Sequence, residues 1–430
     1  MNGFNAFGAS TGSAKRDFSD ILKDQAQPED CLADQACMED ISADALESIE
    51  QRDRRWSWVE VDLGAIRHNV QVAKRRLKPG TRLMAVVKAD AYGHGAVEVA
   101  RTALAAGAYM LGVATVEEGV ELRQAGIEAP ILILSEPPAT AIPLLLAHNI
   151  LPSVYTSEFA VLYGEFADKH GMRAPYHLAV NTGMNRIGVR HDEALEFLRR
   201  VSFHRALDLE GVFTHFATAD SPETLDFNMQ YRRFTELVTA IRQMGINPGI
   251  VHCANSAALL RYPETHFDMV RLGISLYGYH PCPETRPYFD LRPAMSVHAR
   301  ITAVNTPLMS EGVSYGMHYR SPGSVKICTL PIGYADGFRR ALSGRTNVVY
   351  DGRLCRQVGN ICMDQCMFEV DMRSYGTHRR LDPQVGDEVL LVGAQNGVAV
   401  TMDEMADTLG TIHYELCCLF AMRMPRVYIR

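Results

Sequence analysis

Lys88 closes a short apolar run, Leu83-Met-Ala-Val-Val87, and opens a polar turn, Ala89-Asp-Ala-Tyr-Gly-His-Gly95. The run reads as a buried strand, and a helix is expected to start near His94 or Gly95. The amine then sits at the C-terminal mouth of a strand, where barrel enzymes carry their chemistry. Apolar walls disfavour the ammonium form by desolvation. A lysine that sheds its proton readily is suited to Schiff-base chemistry. Spacing alone fits a surface lysine at a strand end equally well. Further on, Ser256 in His252-Cys-Ala-Asn-Ser256 follows a strand and opens a helix. Its hydroxyl suits either an anion or a helix cap. In Arg271-Leu-Gly-Ile274 the glycine at 273 lets the backbone approach a ligand closely. Arg186, in Asn181-Thr-Gly-Met-Asn-Arg-Ile-Gly188, is the residue type for gripping a carboxylate.

Read whole, Val86-Val-Lys-Ala-Asp-Ala-Tyr-Gly-His-Gly95 resembles the pyridoxal 5'-phosphate (PLP) lysine segment of alanine racemases, and the resemblance runs from about Trp56 to Arg430. It implies that Lys88 holds PLP and that Tyr92, Ser256, Gly273, Ile274 and Tyr414 contact its phosphate. Arg271 is implied as the partner of the ring nitrogen, His252 as its support, and His215 as an imidazole stacked on the ring. A permanently charged arginine disfavours protonation of that nitrogen, where a carboxylate would promote it. Taken alone, His215 and His252 also fit satisfied core histidines. Val313-Ser-Tyr-Gly316 resembles the family's catalytic tyrosine loop, which makes Tyr315 the second base, contributed across a homodimer. A phenol has a pKa of about 10, so the phenolate needs cationic help from Arg186, and from Arg271 relayed through His215. Arg186 and the Met363 backbone are implied at the substrate carboxylate, with Asp364 supporting. Tyr334 and Tyr414 are implied to narrow the entrance to little more than a methyl side chain.

The implied activity is interconversion of L- and D-alanine by two bases, with D-alanine serving peptidoglycan. Rival readings are a racemase of another small amino acid such as serine, a fold-related decarboxylase, and a non-catalytic PLP-binding carrier. Arg271 speaks against the decarboxylase, and Tyr315 with the C-terminal region speaks against the carrier. One departure stands out. Many relatives carry a carbamate-forming lysine where this chain has Ala179, and Asn181 stands where aspartate is common. On the expectation that Arg186 is desolvated, an unpaired guanidinium would need compensation. Either Asn181 or a chloride beside Ala179 would have to supply it.

The elements that must position these residues alternate. Strand-like runs at Leu83–Ala89, Tyr109–Ala114, Pro130–Leu134, Leu151–Tyr155, Tyr176–Asn181, Leu209–His215, Ile250–Ala254 and Met269–Leu272 are separated by stretches of helical period. This predicts a (β/α)8 TIM-type barrel over 56–290, with Asp62 capping a helix from Gly64 to Leu77. The strand at 58–63 is a candidate to join the other domain. An open doubly wound sheet is disfavoured by the lack of a Gly-x-Gly-x-x-Gly after the first strand. After the proline-rich boundary at Cys282–Pro293, closely spaced runs at Val297–Asn305, Val325–Leu330, Val348–Tyr350, Arg353–Val358, Cys366–Val370 and Glu388–Val392 predict a mostly β domain over 291–430.

The formal net charge is −7 over 430 residues, and residues 1–50 carry 11 acidic against 3 basic side chains, or −8, leaving +1 for the rest. Residues 1–55 therefore read as an acidic, disordered extension, with short helical turns near Ile21 and Leu46. No basic stripe calls for nucleic acid, and no apolar run is long enough for a membrane span. The 10 cysteines include no Cys-x-x-Cys pair, and several sit in apolar runs. Free thiols in a reducing cytoplasm, without a secretory signal or a metal site, are the expectation.

Overall fold

Met84 and Val86 pack into one small core cluster with Met110, Leu132, Leu151 and Met269. Their neighbours Leu83 and Ala85 belong to a second, larger cluster. Such period-two alternation between two cores is what a strand of a closed barrel requires. The barrel appears in a computed structural model that describes residues 55–373, 381–420 and 423–430. The acidic extension and its suggested helical turns lie outside the described residues.

The first strand, β1 (Ser57–Asp62), leads into α1 (Leu63–Arg76), capped as expected by the Asp62 side chain, which accepts from the Ala65 amide at 2.9 Å. Next come β2 (Arg82–Val86), α2 (Ala96–Ala105), β3 (Met110–Val113), α3 (Val116–Gln124), β4 (Ile131–Ile133), β5 (Leu151–Val154), β6 (Ala174–Asn181), the short β7 (Val189–Arg190), β8 (Leu207–Phe213), β9 (Ile250–His252) and β10 (Met269–Leu272). All their pairings are parallel. The ring runs β2-β3-β4-β5-β6-β8-β9-β10 and closes through Met269 opposite Arg82, with β7 added outside on β6. The eight anticipated barrel strands are therefore present.

Several ends differ from expectation. β2 stops at Val86 rather than Ala89, and β8 at Phe213 rather than His215, so Lys88 and His215 each stand two residues beyond a strand. The helix expected near His94 begins at Ala96, because residues 89–92 form a left-handed turn first. The run Val297–Asn305 divides into β11 (Met295–Arg300) and β12 (Ala303–Asn305). There the chain leaves β19 to pair with β15 instead.

The C-terminal sheet contains β11, β12, β15 (Val325–Leu330), β16 (Asn347–Tyr350), β17 (Arg353–Val358), β18 (Cys366–Asp371), β19 (Glu388–Gln395), β20 (Val398–Val400) and β21 (Arg426–Ile429). A separate hairpin pairs β13 (Gly312–Val313) with β14 (Tyr319–Arg320). β1 lies in this C-terminal sheet, antiparallel to β11 and parallel to β21. The chain thus starts in one sheet, builds the barrel, and returns. Asn69 of α1 fastens the return: its amide nitrogen donates to the carbonyls of Leu276 and Arg292, and its amide oxygen accepts from the Arg292 N–H.

Candidate active site

Arg271 is buried, and its neighbours are imidazoles and carbonyls rather than a carboxylate. It shares the inward parity of Met269 on β10. Nη1 donates to His252 Nδ1 at 3.0 Å and lies 3.3 Å from the His252 carbonyl. Nη2 donates to the carbonyls of Thr214 and Cys253 at 2.8 and 2.9 Å, and to His215 Nδ1 at 3.1 Å. Nε–H alone has no hydrogen bond among the described residues. A guanidinium only donates, so both Nδ1 atoms must be unprotonated acceptors. The proton of His252 is therefore on Nε2, which donates to His177 Nδ1 at 2.9 Å. Burial, reinforced by the Arg271 charge, holds His215 and His252 well below the usual histidine range and His177 down to about 3. Burial also brings Arg271 down to about 10, which leaves it charged near neutrality. Gly211 makes room for this relay, since a Cβ there would collide with the His177 ring.

Lys88 lies at the same mouth. Burial, followed by the Arg186 charge, lowers its pKa from the ordinary lysine value. A cavity of about 440 Å³ is lined by Lys88, Tyr92, Ser256, Arg271, Gly273 and Ile274. Asn181, Arg186, His215 and Tyr414 also line it. Ser256 is not the helix cap: the Asn255 side chain accepts from the Ala258 amide at 3.0 Å. The Ser256 hydroxyl instead accepts from the Gly273 amide at 3.0 Å. Tyr92, Tyr277 and Tyr414 stand together, with Tyr92 centred 4.9 Å from Tyr277 and 6.3 Å from Tyr414.

Arg186 is described within one chain, before any partner covers it. Its side chain is exposed in the single chain and has no ion-pair partner among the described residues, so it is not desolvated there. Water meets its charge, and no compensating anion is needed within one chain. Asn181 does not hold it either. The Asn181 amide oxygen accepts from the Gly183 and Asn185 amides at 3.0 and 3.1 Å, and its nitrogen donates to Asn185 Oδ1 at 3.0 Å. The side chain shapes the turn that carries Arg186.

The remaining predicted residues gather elsewhere. Tyr315, Tyr334, Met363 and Asp364 line a second, more open cavity of about 1210 Å³ on the C-terminal domain. Tyr315 is 75 % exposed and Met363 53 %. Within one chain Tyr334 and Tyr414 therefore line different cavities. The Tyr315 backbone is held, since Asn360 Nδ2 donates to its carbonyl at 2.7 Å. The loops of Tyr334 and Met363 are docked: the Tyr334 and Ala335 amides donate to the Cys362 and Met363 carbonyls, both at 3.0 Å. Asp364 pairs with Arg423 at 2.7 Å, and Arg423 also reaches the buried Asp336 at 3.4 Å.

Sequence reasoning missed His177, Glu118, Asn255, Asn360, Asp336 and Arg426. His177 carried a signal, the inward parity it shares with Ala179 on β6, and Thr115-x-x-Glu118 and Asn255 carried those of helix caps. Asn360, Asp336 and Arg426 act through contacts between segments far apart in the chain.

A closed parallel barrel with a polar, lysine-bearing mouth, followed by a sheet domain that recovers the first strand, defines a two-domain enzyme class. The family models "Alanine racemase, N-terminal domain" and "Alanine racemase, C-terminal domain" match residues 61–281 and 294–428. The chain belongs to the alanine racemase family and is an isomerase of that family. It is 44% identical over 372 residues to the alanine racemase of Desulfovibrio desulfuricans, covering 86% of this chain and 98% of that one. The Nostoc sp. alanine racemase is 43% identical over 377 residues, with 86% and 95% covered. The crystal structure of Bacillus anthracis alanine racemase with bound L-Ala-P superposes with a TM-score of 0.81 at 38% identity, covering 87% of this chain and 95% of that one. A histidine racemase from Leuconostoc mesenteroides superposes at 0.78 with 30% identity, covering 87% and 98%.

Proposed function

We propose that the protein is a PLP-dependent alanine racemase that works as a homodimer, with Lys88 and the partner's Tyr315 as the two bases. The observation that carries this reading is the convergence of Lys88, Arg271, Ser256 and Gly273 on one cavity. The residues fit the cofactor. A Cβ on Gly273 would project to 3.5 Å from the Tyr92 hydroxyl and 3.7 Å from the Ser256 hydroxyl. The missing side chain therefore leaves a polar cradle for a phosphate, with Ile274 and Tyr414 on its wall. The free Nε–H of Arg271 suits a ring nitrogen, and His215 flanks it. Bound PLP supplies an electron sink that acidifies the α-hydrogen of an amino acid.

The chain's own residues do the rest. Lys88, with its lowered pKa, accepts or returns a proton at the substrate α-carbon. Arg271, still protonated near neutrality, would face the ring nitrogen with a charged donor and so disfavour its protonation. Arg186 and the Met363 backbone N–H, which donates no hydrogen bond among the described residues, suit the substrate carboxylate. Asp364 supports that loop, and Tyr334 and Tyr414 close the entrance around a small side chain.

The dimer is supported by the exposure of Tyr315, Met317 and Met363 at 75 %, 56 % and 53 %. Clustered apolar exposure of this kind marks an interface. A chloride between Arg186 and Asn181 Nδ2, beside Ala179, belongs to the same reading, in the dimer where a partner covers Arg186. The free thiols at all eight described cysteines suit a reducing cytoplasm, and the D-alanine formed would supply peptidoglycan.

The test is an absorption spectrum of the purified protein for lysine-bound PLP, followed by circular dichroism of L-alanine incubated with it. Loss of optical rotation supports the reading; unchanged L-alanine with bound cofactor sinks it. The histidine racemase on the same fold makes another substrate the second reading, so serine and histidine are assayed in parallel.

A further inference from the structure

Four consecutive residues after Lys88, namely Ala89, Asp90, Ala91 and Tyr92, have φ of 51–52° and ψ of 41–53°. None is glycine, and the left-handed region is disfavoured for each, so a full turn there persists only where its surroundings impose it. Some restraints are local to the barrel. The Ala89 amide donates to Glu118 at 2.6 Å, the Ala96 amide donates to Asp90 at 2.8 Å, and His94 Nδ1–H donates to the Tyr92 carbonyl at 2.9 Å.

The others come from the far end of the chain. Arg426 donates from Nη2 and Nε to the Gly93 carbonyl at 3.0 and 3.2 Å. The same guanidinium ties down the Phe420 and Met424 carbonyls at 2.9 and 2.8 Å, and approaches Asp90 at 3.7 Å. Two residues along β21, on the same face, the Tyr428 hydroxyl fills the space where a Cβ on Gly95 would stand. A Cβ on Gly93 would likewise collide with the Cys417 carbonyl. Gly93 and Gly95 have φ of 78° and 90°. Both glycines are thus demanded by the C-terminal segment as well as by their own backbone.

We propose that Arg426 and Tyr428 are positioning residues: the last strand is a clasp that holds the left-handed turn and so sets where Lys88 and Tyr92 stand. The consequence for turnover rests on the reading of Lys88 as the cofactor lysine; the clasp itself does not. Arg426→Met is compared with the wild-type full chain by hydrogen exchange. Peptides over 88–95 are expected to exchange about tenfold faster, while peptides over 207–215 are unchanged. With L-alanine, kcat is expected to fall about tenfold and KM to stay within about twofold, because Arg186 is untouched. Arg426→Lys, which keeps the charge but not the fork, recovers part of the protection and of kcat. Should Arg426→Met fail to fold, Arg426→Lys and Tyr428→Ala carry the same comparison. Unchanged exchange at 88–95, or uniform acceleration throughout the chain, overturns the clasp. Faster local exchange in a protein that does not racemise alanine leaves the clasp standing and removes the proposed function.

Discussion

The Nη1 of Arg271 donates to Nδ1 of His252 at 3.0 Å inside the barrel mouth. Because a guanidinium cannot accept, that single contact sets the tautomer of His252 and, through it, of His177. The cation is held in place by neutral acceptors whose burial keeps them from competing for the charge.

Arg271→Lys should be costly although it conserves charge. A lysine amine cannot reach the two imidazoles and the carbonyls of Thr214 and Cys253 together, and the abandoned buried acceptors lose stability. We expect a loss of at least about 2 kcal/mol in chemical denaturation. A variant as stable as the wild type would show that the network relaxes freely.

Lys88→Ala should abolish racemisation and the absorbance of the lysine-bound cofactor. Turnover near the wild-type rate in a protein lacking the amine would remove Lys88 from the chemistry.

Lys88→Ala and Tyr315→Phe chains, each inactive alone, should complement under subunit exchange. Random pairing makes about half the dimers mixed, each with one intact site, so roughly a quarter of all sites recover. Verified exchange without recovery would put both bases on one chain.

Acid should unfold the protein through its buried histidines. Burial pushes His94 to about 4 and His177 to about 3, and His215 and His252 well below the ordinary 6.5. Between those values and 6.5 the unfolded chain binds protons that the folded chain does not, so stability rises with pH and is lost as pH falls below 6.5. At pH 5 these four should contribute roughly four protons of uptake on unfolding. Denaturation midpoints at pH 5 and 7.5, with His177→Gln reducing the uptake by about one, check the sign and the size.

Chloride dependence tests whether an anion holds Arg186 in the dimer. Replacing chloride by a bulky organic anion at fixed ionic strength should raise KM for alanine, and chloride alone should restore it. Indifferent kinetics would leave the Asn181 turn as the only support.

Much of this protein was legible in its residues. Alternation of apolar runs with helical periods sufficed for the eight-stranded barrel, because a strand buried on both sides must be continuously apolar. The Lys88 segment, Ser256 and Gly273 stood out because their chemistry is written in residue type and in position just beyond a strand, while Arg271, inside β10, was marked by the family resemblance. The Asp62 cap was readable for the same local reason. What the tertiary structure decided involves groups distant in sequence. The place of β1, from the sequence only a candidate for the C-terminal sheet, was decided by its pairing with β11 and β21, because pairing partners are a property of space. His177 became the end of a relay only when β6 and β9 were set side by side, with Gly211 leaving room. The left-handed turn after Lys88 could not be read from four non-glycine residues, since local preference opposes it and contacts from Arg426, more than 300 residues away, help to impose it. The surroundings of Arg186 could not be read either: it is exposed within one chain, and burial belongs to the assembled surface rather than to the residue.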